Sequence, residues 1–151
     1  YSTFPAFDMV ANFGGTTSTG SKQGVMFSRE YWSSGFGVTG NFNGTADTLI
    51  NYASPSETLT NWNHYVISYN GTHLKLFLNK ILRAITTVSG TITYGDSQNH
   101  LGYRHDGVAF YNGHIDSFKI YNAALSDGGI TTTGQTATGD IATNYAAEGG
   151  I

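Results

Sequence analysis

The chain contains no cysteine and only two prolines among its 151 residues. Without cysteine there can be no disulfide and no cysteine-based zinc or redox site. Such a chain is typical either of an intracellular protein or of an extracellular protein of phage or bacterial type. The absence of cysteine therefore leaves the compartment open.

Charged residues are also scarce, at 11% of the chain. Seven Lys and Arg stand against ten Asp and Glu, and the sequence pI is about 5.9, so no basic stripe is present to neutralise phosphates. We therefore predict that the chain does not bind nucleic acid. Its longest apolar runs fall well short of the roughly 18 residues that a membrane-spanning helix needs, so no membrane span is predicted.

Glycine and aromatic residues are abundant: the chain has 20 Gly, 10 Tyr and 9 Phe, together with many Thr. This composition suits short strands joined by tight turns. No window shows a sustained apolar repeat of about 3.6 residues, which argues against a helical bundle. We therefore expect one all-β domain, and a chain of this length can bury roughly two-thirds of the surface that its unfolded form exposes.

Residues 62–79 carry the strongest structural pattern, because two alternating runs flank the Asn70-Gly71 pair. Before the pair, the period of two that a strand produces would place Trp62, His64, Val66 and Ser68 on one face and Asn63, Tyr65, Ile67 and Tyr69 on the other. After it, three Leu residues share one face. Asn-Gly favours a type I′ turn, in which both central residues have positive φ, so the segment is predicted to form a β-hairpin.

Shorter patterns predict the remaining elements. Strands are expected over 7–13, 25–29, 36–39, 47–52, 81–88 and 100–104, with a weaker strand over 91–94 and a central one over 114–121. Ser126 is predicted to be the N-cap of one short helical turn, which Gly128-Gly129 would cut short. The polar run 131–140 is predicted to be an exposed loop or linker, followed by little further structure.

The segment 62–79 (WNHYVISYNGTHLKLFLN), together with 101–104 (LGYR) and 111–126 (YNGHIDSFKIYNAALS), resembles the laminin-G-like domains of the concanavalin A-like jelly-roll superfamily. The residues at signature positions are Trp62, Tyr69, Asn70-Gly71, Leu76, Asn79, Gly102, Gly113, Ile115-Asp116, Ile120-Tyr121 and Leu125-Ser126. The resemblance implies an all-β fold with two antiparallel sheets packed as a β-sandwich. It also implies a binding surface on the concave face or on the loops at one edge.

Both ends of the chain depart from the family pattern. Little precedes the strand predicted at 7–13, where members usually carry a further strand, and a Thr/Gly-rich stretch replaces the usual compact final strand. We therefore divide the chain into a laminin-G-like sandwich over 1–130 and a tail or linker over 131–151. Because the sequence starts at Tyr1 instead of Met, we expect a processed chain or one segment of a longer protein.

A glycosidase of this superfamily would need a pair of carboxylates on one face, about 5 to 10 Å apart. The closely spaced acidic pattern of glucanase strands is missing from the sequence. Glu30, Glu57 and Glu148 are isolated, and only Asp106 and Asp116 bracket a strand-turn-strand unit. No G-x-S-x-G elbow offers a serine nucleophile either. We therefore predict that the protein is not an enzyme.

Asp116 has two interpretations, because a carboxylate within an otherwise apolar strand is costly to bury unpaired. It either accepts backbone donors or pairs with Arg83, Arg104 or Lys119, or it binds a metal or ligand. Calcium is compatible with oxygens from Asp106, Asn99 and Asn112, although no D-x-D-x-D spacing occurs. His100, His105 and His114 make a transition-metal site conceivable, but such histidines are more often solvated or hydrogen-bonded.

Sugar binding has the better support in the sequence. Pyranose rings stack their C–H faces on aromatic side chains, while Asn, Asp, Arg and His bind the hydroxyl groups. Two segments, 29–35 and 103–106 with 111–112, contain both aromatic and polar side chains. The candidate residues are Trp32 in the first and Tyr103, Arg104, Asp106, Tyr111 and Asn112 in the second. The alternative for these aromatic residues is a place in the core or rim of the sandwich.

We predict a non-catalytic recognition or adhesion module that binds a glycan or cell-surface polysaccharide. It would belong to a larger extracellular, cell-surface or virion protein. The alternative is a structural virion component, such as a phage decoration, fibre or capsid-associated protein, that packs against neighbouring subunits. Aromatic residues in an open groove would favour sugar binding, and a flat apolar face covered by another copy would favour assembly.

Overall fold

A computed structural model describes residues 8–14, 24–29, 35–43, 45–53, 61–94, 99–103 and 110–149. Over these ranges the chain forms eight strands and one helix. They are β1 Asp8–Phe13, β2 Val25–Arg29, β3 Gly35–Phe42, β4 Thr45–Ala53, β5 Tyr65–Tyr69, β6 His73–Leu78, β7 Ile81–Thr87, β8 Asn99–Leu101 and α1 Gly139–Ala147.

The described residues fall into two units, the first drawn from Tyr1–Pro55 and Ser89–Ile115 and the second from Ser56–Val88 and Asp116–Ile151. The first unit contains a five-stranded antiparallel sheet in the order β4-β3-β2-β1-β8. The second contains a three-stranded antiparallel sheet in the order β5-β6-β7, together with α1. The predicted class, an all-β fold with two antiparallel sheets, is confirmed.

The first unit is built around β3, which is buried along its whole length. Phe36 and Val38 alternate with small residues, so one face of β3 supplies bulky side chains to the core. Val38 lies opposite Phe27 of β2, and the rings of Phe27 and Phe36 stack with centroids 5.8 Å apart. Strand β2 has its predicted bounds, whereas β3 and β4 are longer than predicted because their pairing continues to Phe42↔Thr45.

The predicted hairpin of β5 and β6 is confirmed, but its predicted turn type is wrong. Tyr69 pairs with Leu74, and the Asn70 N–H donates to the His73 carbonyl at 3.3 Å, so Gly71 and Thr72 are the central residues. Gly71 has φ 92°, and Thr72 is not among the residues with positive φ. A positive φ at the first central residue alone is the type II′ pattern.

The type I′ pattern occurs instead between β6 and β7. Leu78 pairs with Ile81, and the two central residues, Asn79 and Lys80, have φ of 50° and 59°. Asn79 is also held by its side chain, whose Oδ1 accepts from the His64 N–H at 2.9 Å. Tertiary hydrogen bonds thus support a turn that the local residue preferences indicated only weakly.

The central strand predicted over 114–121 is wrong. These residues form no strand, and all of them are exposed. Ser117 has φ 51°, which interrupts an extended backbone. Moreover, each face of the predicted strand mixes polar and apolar residues, so neither face could be buried without cost. Asp116 is exposed and its Oδ1 accepts from the Ser117 N–H at 2.7 Å, which corrects the expectation of a carboxylate inside an apolar strand.

The short helix predicted after Ser126 is also wrong, because Gly128 and Gly129 adopt φ of 84° and 75° and exclude a right-handed helix. Ser126 contributes to the start of α1 instead. Its hydroxyl donates to Asp140 Oδ2 at 2.8 Å and accepts from the Asp140 N–H at 2.9 Å. The pKa of Asp140 is lowered by the hydroxyl of Ser126 and by the Ser126 N–H, which donates to the same carboxylate oxygen at 3.1 Å. The residue recognised as a cap in the sequence therefore caps a helix that is distant in sequence.

The Thr/Gly-rich region packs on the three-stranded sheet. Its side chains are largely exposed, as predicted, but residues 134–137 run antiparallel to the start of β7 and form an edge segment. The Leu82 N–H donates to the Gln135 carbonyl at 2.9 Å, and the Ala137 N–H donates to the Lys80 carbonyl at 2.7 Å. Ala137 and Ile141 are buried with Phe77 and Leu82. The division of domains at residue 130 stays a prediction.

Replacing Ile141, which is fully buried, tests the contribution of α1 to this core. We expect Ile141→Ala to lower the free energy of unfolding by about 3 kcal/mol, because it leaves a cavity among packed side chains. The matched control is Ile120→Ala, since Ile120 is 69% exposed. That change should stay within about 0.5 kcal/mol. If chemical denaturation showed the same loss of stability in both variants, the packing of Ile141 in the core would be contradicted.

Lys75 carries a buried charge in the second unit. Its Nζ donates to Asp127 Oδ2 and to the Ile130 carbonyl, each at 2.6 Å. The two side chains of the ion pair are 9% and 13% exposed. A buried ammonium without partners would be strongly unfavourable, so these two acceptors fix the segment 127–130 against β6.

Removing the Asp127 carboxylate should therefore destabilise the folded state. We expect Asp127→Ala to lower the free energy of unfolding by about 3 kcal/mol, since it leaves the Lys75 charge buried without its counter-ion. Asp116→Ala is the control, because Asp116 is an exposed carboxylate. It should change stability by no more than about 0.5 kcal/mol. A double variant, Lys75→Met with Asp127→Ala, should recover most of the loss in the same denaturation experiment.

His64 packs edge-on against Tyr145 of α1, with ring centroids 5.8 Å apart. Burial lowers the pKa of His64, and the nearby charges of Glu148 and Lys119 raise and lower it, respectively, by less. Its Nδ1 is buried and has no hydrogen-bond partner in the part of the chain that the structure describes. Protonation of His64 is therefore disfavoured in the folded state.

The free energy of unfolding should consequently decrease as the pH is lowered through one window. The unfolded chain takes up this proton near pH 6.5, whereas the folded chain resists it. The His64 contribution should be complete above about pH 6.5 and decline as the pH falls towards the lower pKa of the folded state. The pH dependence of denaturation midpoints should flatten in His64→Gln. It should not change in Ile120→Ala, which removes an exposed side chain that does not titrate.

Candidate functional site

The structure places part of the predicted site at the edge of the five-stranded sheet. Tyr103 follows β8, which is the outermost strand beside β1. Tyr111 and Asn112 come from the segment that returns to this edge. The other three predicted residues, Trp32, Arg104 and Asp106, lie outside the described residues, as does His105. The predicted site residues all stay predictions.

Backbone hydrogen bonds hold the returning segment against the end of β8. The Gly102 N–H donates to the Val10 carbonyl at 2.9 Å, which continues the pairing of β8 with β1. The Gly102 carbonyl then accepts from the Tyr111 N–H at 2.8 Å, and Tyr103 forms an antiparallel bridge with Phe110. Tyr103 and Tyr111 are therefore brought together by contacts with the same short stretch of backbone.

Three aromatic rings form a cluster on this edge, which we call the aromatic cluster: His100, Tyr103 and Phe110. The rings of Tyr103 and Phe110 stack, with centroids 5.7 Å apart and an interplanar angle of 22°. His100 meets Tyr103 edge-on, with centroids 4.4 Å apart. Tyr103 and His100 are half-buried, whereas Phe110 is 63% exposed. The cluster thus anchors a stacked pair whose outer ring is open to solvent.

Phe110 is not among the site residues predicted from the sequence. Its pairing with Tyr103 could have been anticipated from two aromatic residues placed before and after the Asp106-Gly107 pair, because Asp-Gly favours a tight turn and the residues around such a turn pair across it. Stacked aromatic pairs prefer this offset geometry and contribute about 0.5–1.5 kcal/mol beyond the area they bury.

Tyr111 and Asn112 flank the aromatic cluster in sequence. Asn112 is exposed and Tyr111 is half-buried. A Cβ at Gly113 would lie 2.7 Å from the Tyr111 ring, so the absence of a side chain at Gly113 lets the ring fold over the backbone. The edge therefore combines aromatic surface with the amide and phenol groups of two polar neighbours.

The calcium hypothesis stays a prediction. Of its three side chains, Asn99 already accepts a hydrogen bond from the Gly14 N–H at 3.1 Å through Oδ1, and Asp106 lies outside the described residues. Asn112 is exposed. Among the residues that the structure describes, no group of three His, Cys, Asp or Glu side chains could hold a metal ion.

A laminin-G family model, described as the concanavalin A-like lectin/glucanases superfamily, matches residues 5–131. The match spans both sheets and the aromatic cluster. The chain belongs to this superfamily. No curated protein and no solved structure was found to match the chain.

Membership of this superfamily favours a carbohydrate-binding or adhesion-type module. Laminin-G-like domains are typically non-catalytic, although some members of the superfamily are glycosidases. The fold family often binds glycans, and laminin-G-like domains are commonly extracellular. Within the described part of the chain, no helix has the length and apolar character needed to cross a membrane.

Proposed function

We propose that the protein is a non-catalytic, carbohydrate-binding module of a larger extracellular, cell-surface or virion protein. The observation that carries the proposal is the stacked pair of Tyr103 and Phe110 at the sheet edge, with Phe110 63% exposed. A solvent-facing ring held by a second ring offers a rigid apolar platform. The C–H face of a pyranose would lie on such a platform with little loss of side-chain freedom.

Polar groups near the platform would orient the sugar. Asn112 carries both an amide donor and a carbonyl acceptor, and the phenol of Tyr111 can donate and accept. The contributions of Trp32, Arg104 and Asp106 to sugar binding stay predictions. The formal net charge of −3 and the sequence pI of about 5.9 favour a neutral glycan over a strongly acidic polysaccharide.

The acidic side chains that the structure describes support a non-catalytic role. Asp127 pairs with Lys75, Glu148 pairs with Lys119, and Asp140 binds Ser126. Asp116 accepts from the backbone of Ser117. Each of these carboxylates has a structural contact, and none lies in the aromatic cluster. Glycoside hydrolysis requires a pair of carboxyl groups that face one substrate.

A second function, packing against neighbouring subunits of a virion or surface assembly, has one specific observation in its favour. Phe118, Ile120 and Tyr121 of the second unit are 44%, 69% and 46% exposed. Exposed apolar side chains that follow one another closely are typical of surfaces that another protein covers. This function would leave the aromatic cluster without a role.

Glycan binding should depend on the outer ring of the aromatic cluster. We expect reproducible hits of the purified protein on a glycan array, with binding reduced at least about tenfold by Phe110→Ala or Tyr103→Ala, because the stacking surface is lost. Phe118→Ala is the matched control, since Phe118 is an exposed phenylalanine of the second unit. It should bind as the unmodified protein does.

The array should be run with calcium and again with EDTA. Loss of binding in EDTA would add calcium to the site, and unchanged binding would remove it from the proposal. A different result would favour the assembly role over sugar binding: an array without hits, together with multimers in light scattering that dissociate in Phe118→Ala.

A further inference from the structure

The second unit contains an open cavity of about 210 Å³ beside the β5–β6 hairpin. One wall comes from the hairpin and includes Ser68, Asn70, His73 and Lys75. The other comes from the segment 124–131. The cavity shares no residue with the aromatic cluster, so binding here can be tested separately from binding at the cluster.

The hairpin wall offers mainly hydrogen-bond donors. Lys75 has three N–H donors, two of which are used by Asp127 and the Ile130 carbonyl. The Oδ1 of Asn70 accepts from Thr72 N, Thr72 Oγ1 and His73 N at 3.1, 3.0 and 2.8 Å. The amide nitrogen of Asn70 is therefore the group left to bind a ligand.

His73 and Ser68 add to this wall. The Nδ1 of His73 is 2.9 Å from the hydroxyl oxygen of Thr72, whose own hydrogen is donated to Asn70, so Nδ1 donates and Nε2 of the neutral ring is left as an acceptor. Ser68 lies directly opposite Lys75 in the β5–β6 register, and its hydroxyl both donates and accepts. The four side chains thus place the donors of Lys75 and Asn70, the acceptor of His73 and one hydroxyl around a single space.

The charges of the cavity indicate which ligand it would take. The Lys75 ammonium is neutralised by Asp127 at 2.6 Å, so the wall has no unbalanced positive charge to attract an anion. Each oxygen of Asp127 holds one donor, Lys75 or the Gly129 N–H, and keeps further acceptor capacity. Groups that donate and accept at once, such as hydroxyls, suit this lining best. Leu125 and Ala124 supply an apolar side.

We propose that this cavity binds a neutral polyhydroxylated ligand of the size of one sugar ring. Its volume lies below the roughly 300–1,000 Å³ of drug-sized pockets, which limits the occupant to a small molecule or a single residue of a chain. Hydroxyl groups would bind Lys75, Asn70, His73 and Asp127, and the C–H face would contact Leu125. Weak, millimolar affinity is expected for a single ring in an open cavity.

The test is a titration of the ¹⁵N-labelled full chain with D-glucose, D-galactose and D-mannose, followed by NMR, with sulfate as the anionic probe. We expect one of the sugars to shift the signals of Gly129 and of the Asn70 side chain in a saturable way. Sulfate should not shift them. Signals of Gly102 and Gly113 report separately on the aromatic cluster, so failure of this site and failure of the proposed function can be distinguished.

Two neighbouring alanines provide a blocking variant and its control. Ala124 lines the cavity and is exposed, so Ala124→Phe should fold and fill the space. Ala123 is exposed and does not line the cavity. Ala124→Phe should weaken sugar binding by at least about tenfold, and Ala123→Phe should leave it unchanged.

His73→Ala, which removes an acceptor, should weaken binding less than the blocking variant does. Four outcomes would overturn the proposal: no shift with any of the three sugars, shifts with sulfate alone, equal binding by both phenylalanine variants, and shifts confined to Gly102 and Gly113. Matching denaturation midpoints for the two phenylalanine variants would show that a loss of binding is not a loss of folding.

Discussion

The ammonium of Lys75 imposes the main constraint on the second unit. A buried charge on a central strand must be neutralised and hydrogen-bonded, and both partners come from the segment 127–130. Once that segment lies against β6, Ser126 is positioned to bind the first turn of α1. The helix then places Ile141 in the core with Phe77 and Leu82. One polar contact thus determines where an irregular segment and a helix attach to the sheet.

The first unit is constrained differently, because its five-stranded sheet ends at β8 and the edge of that strand is the candidate binding surface. Strand β8 is only three residues long, yet its pairing is prolonged by the bond from Gly102 to Val10 and by the bridge of Tyr103 with Phe110. The result is an edge whose last elements are aromatic side chains. Rigid aromatic groups at a sheet edge agree with recognition, the class of function that the superfamily favours.

The sequence predicted the elements whose pattern is local. Alternation and an Asn-Gly pair located the β5–β6 hairpin, and the family signature identified the superfamily. It failed where long-range contacts decide the outcome. The segment 114–121 alternates like a strand but mixes polar and apolar residues on both faces, and Ser126 caps a helix that starts 13 residues later. The Tyr103–Phe110 stack depends on chain reversal, which alternation along one strand does not indicate.

The edge segment 134–137 has a consequence for the behaviour of the protein at high concentration. An uncovered strand edge presents unpaired N–H and C=O groups and is a template for association with other chains. The Thr/Gly-rich segment occupies the start of β7 through its own backbone, so side-chain identity matters little there. A low-complexity sequence can therefore act as a protective border. Its loss would expose both β7 and the surface under Ala137, and would favour aggregation over simple unfolding.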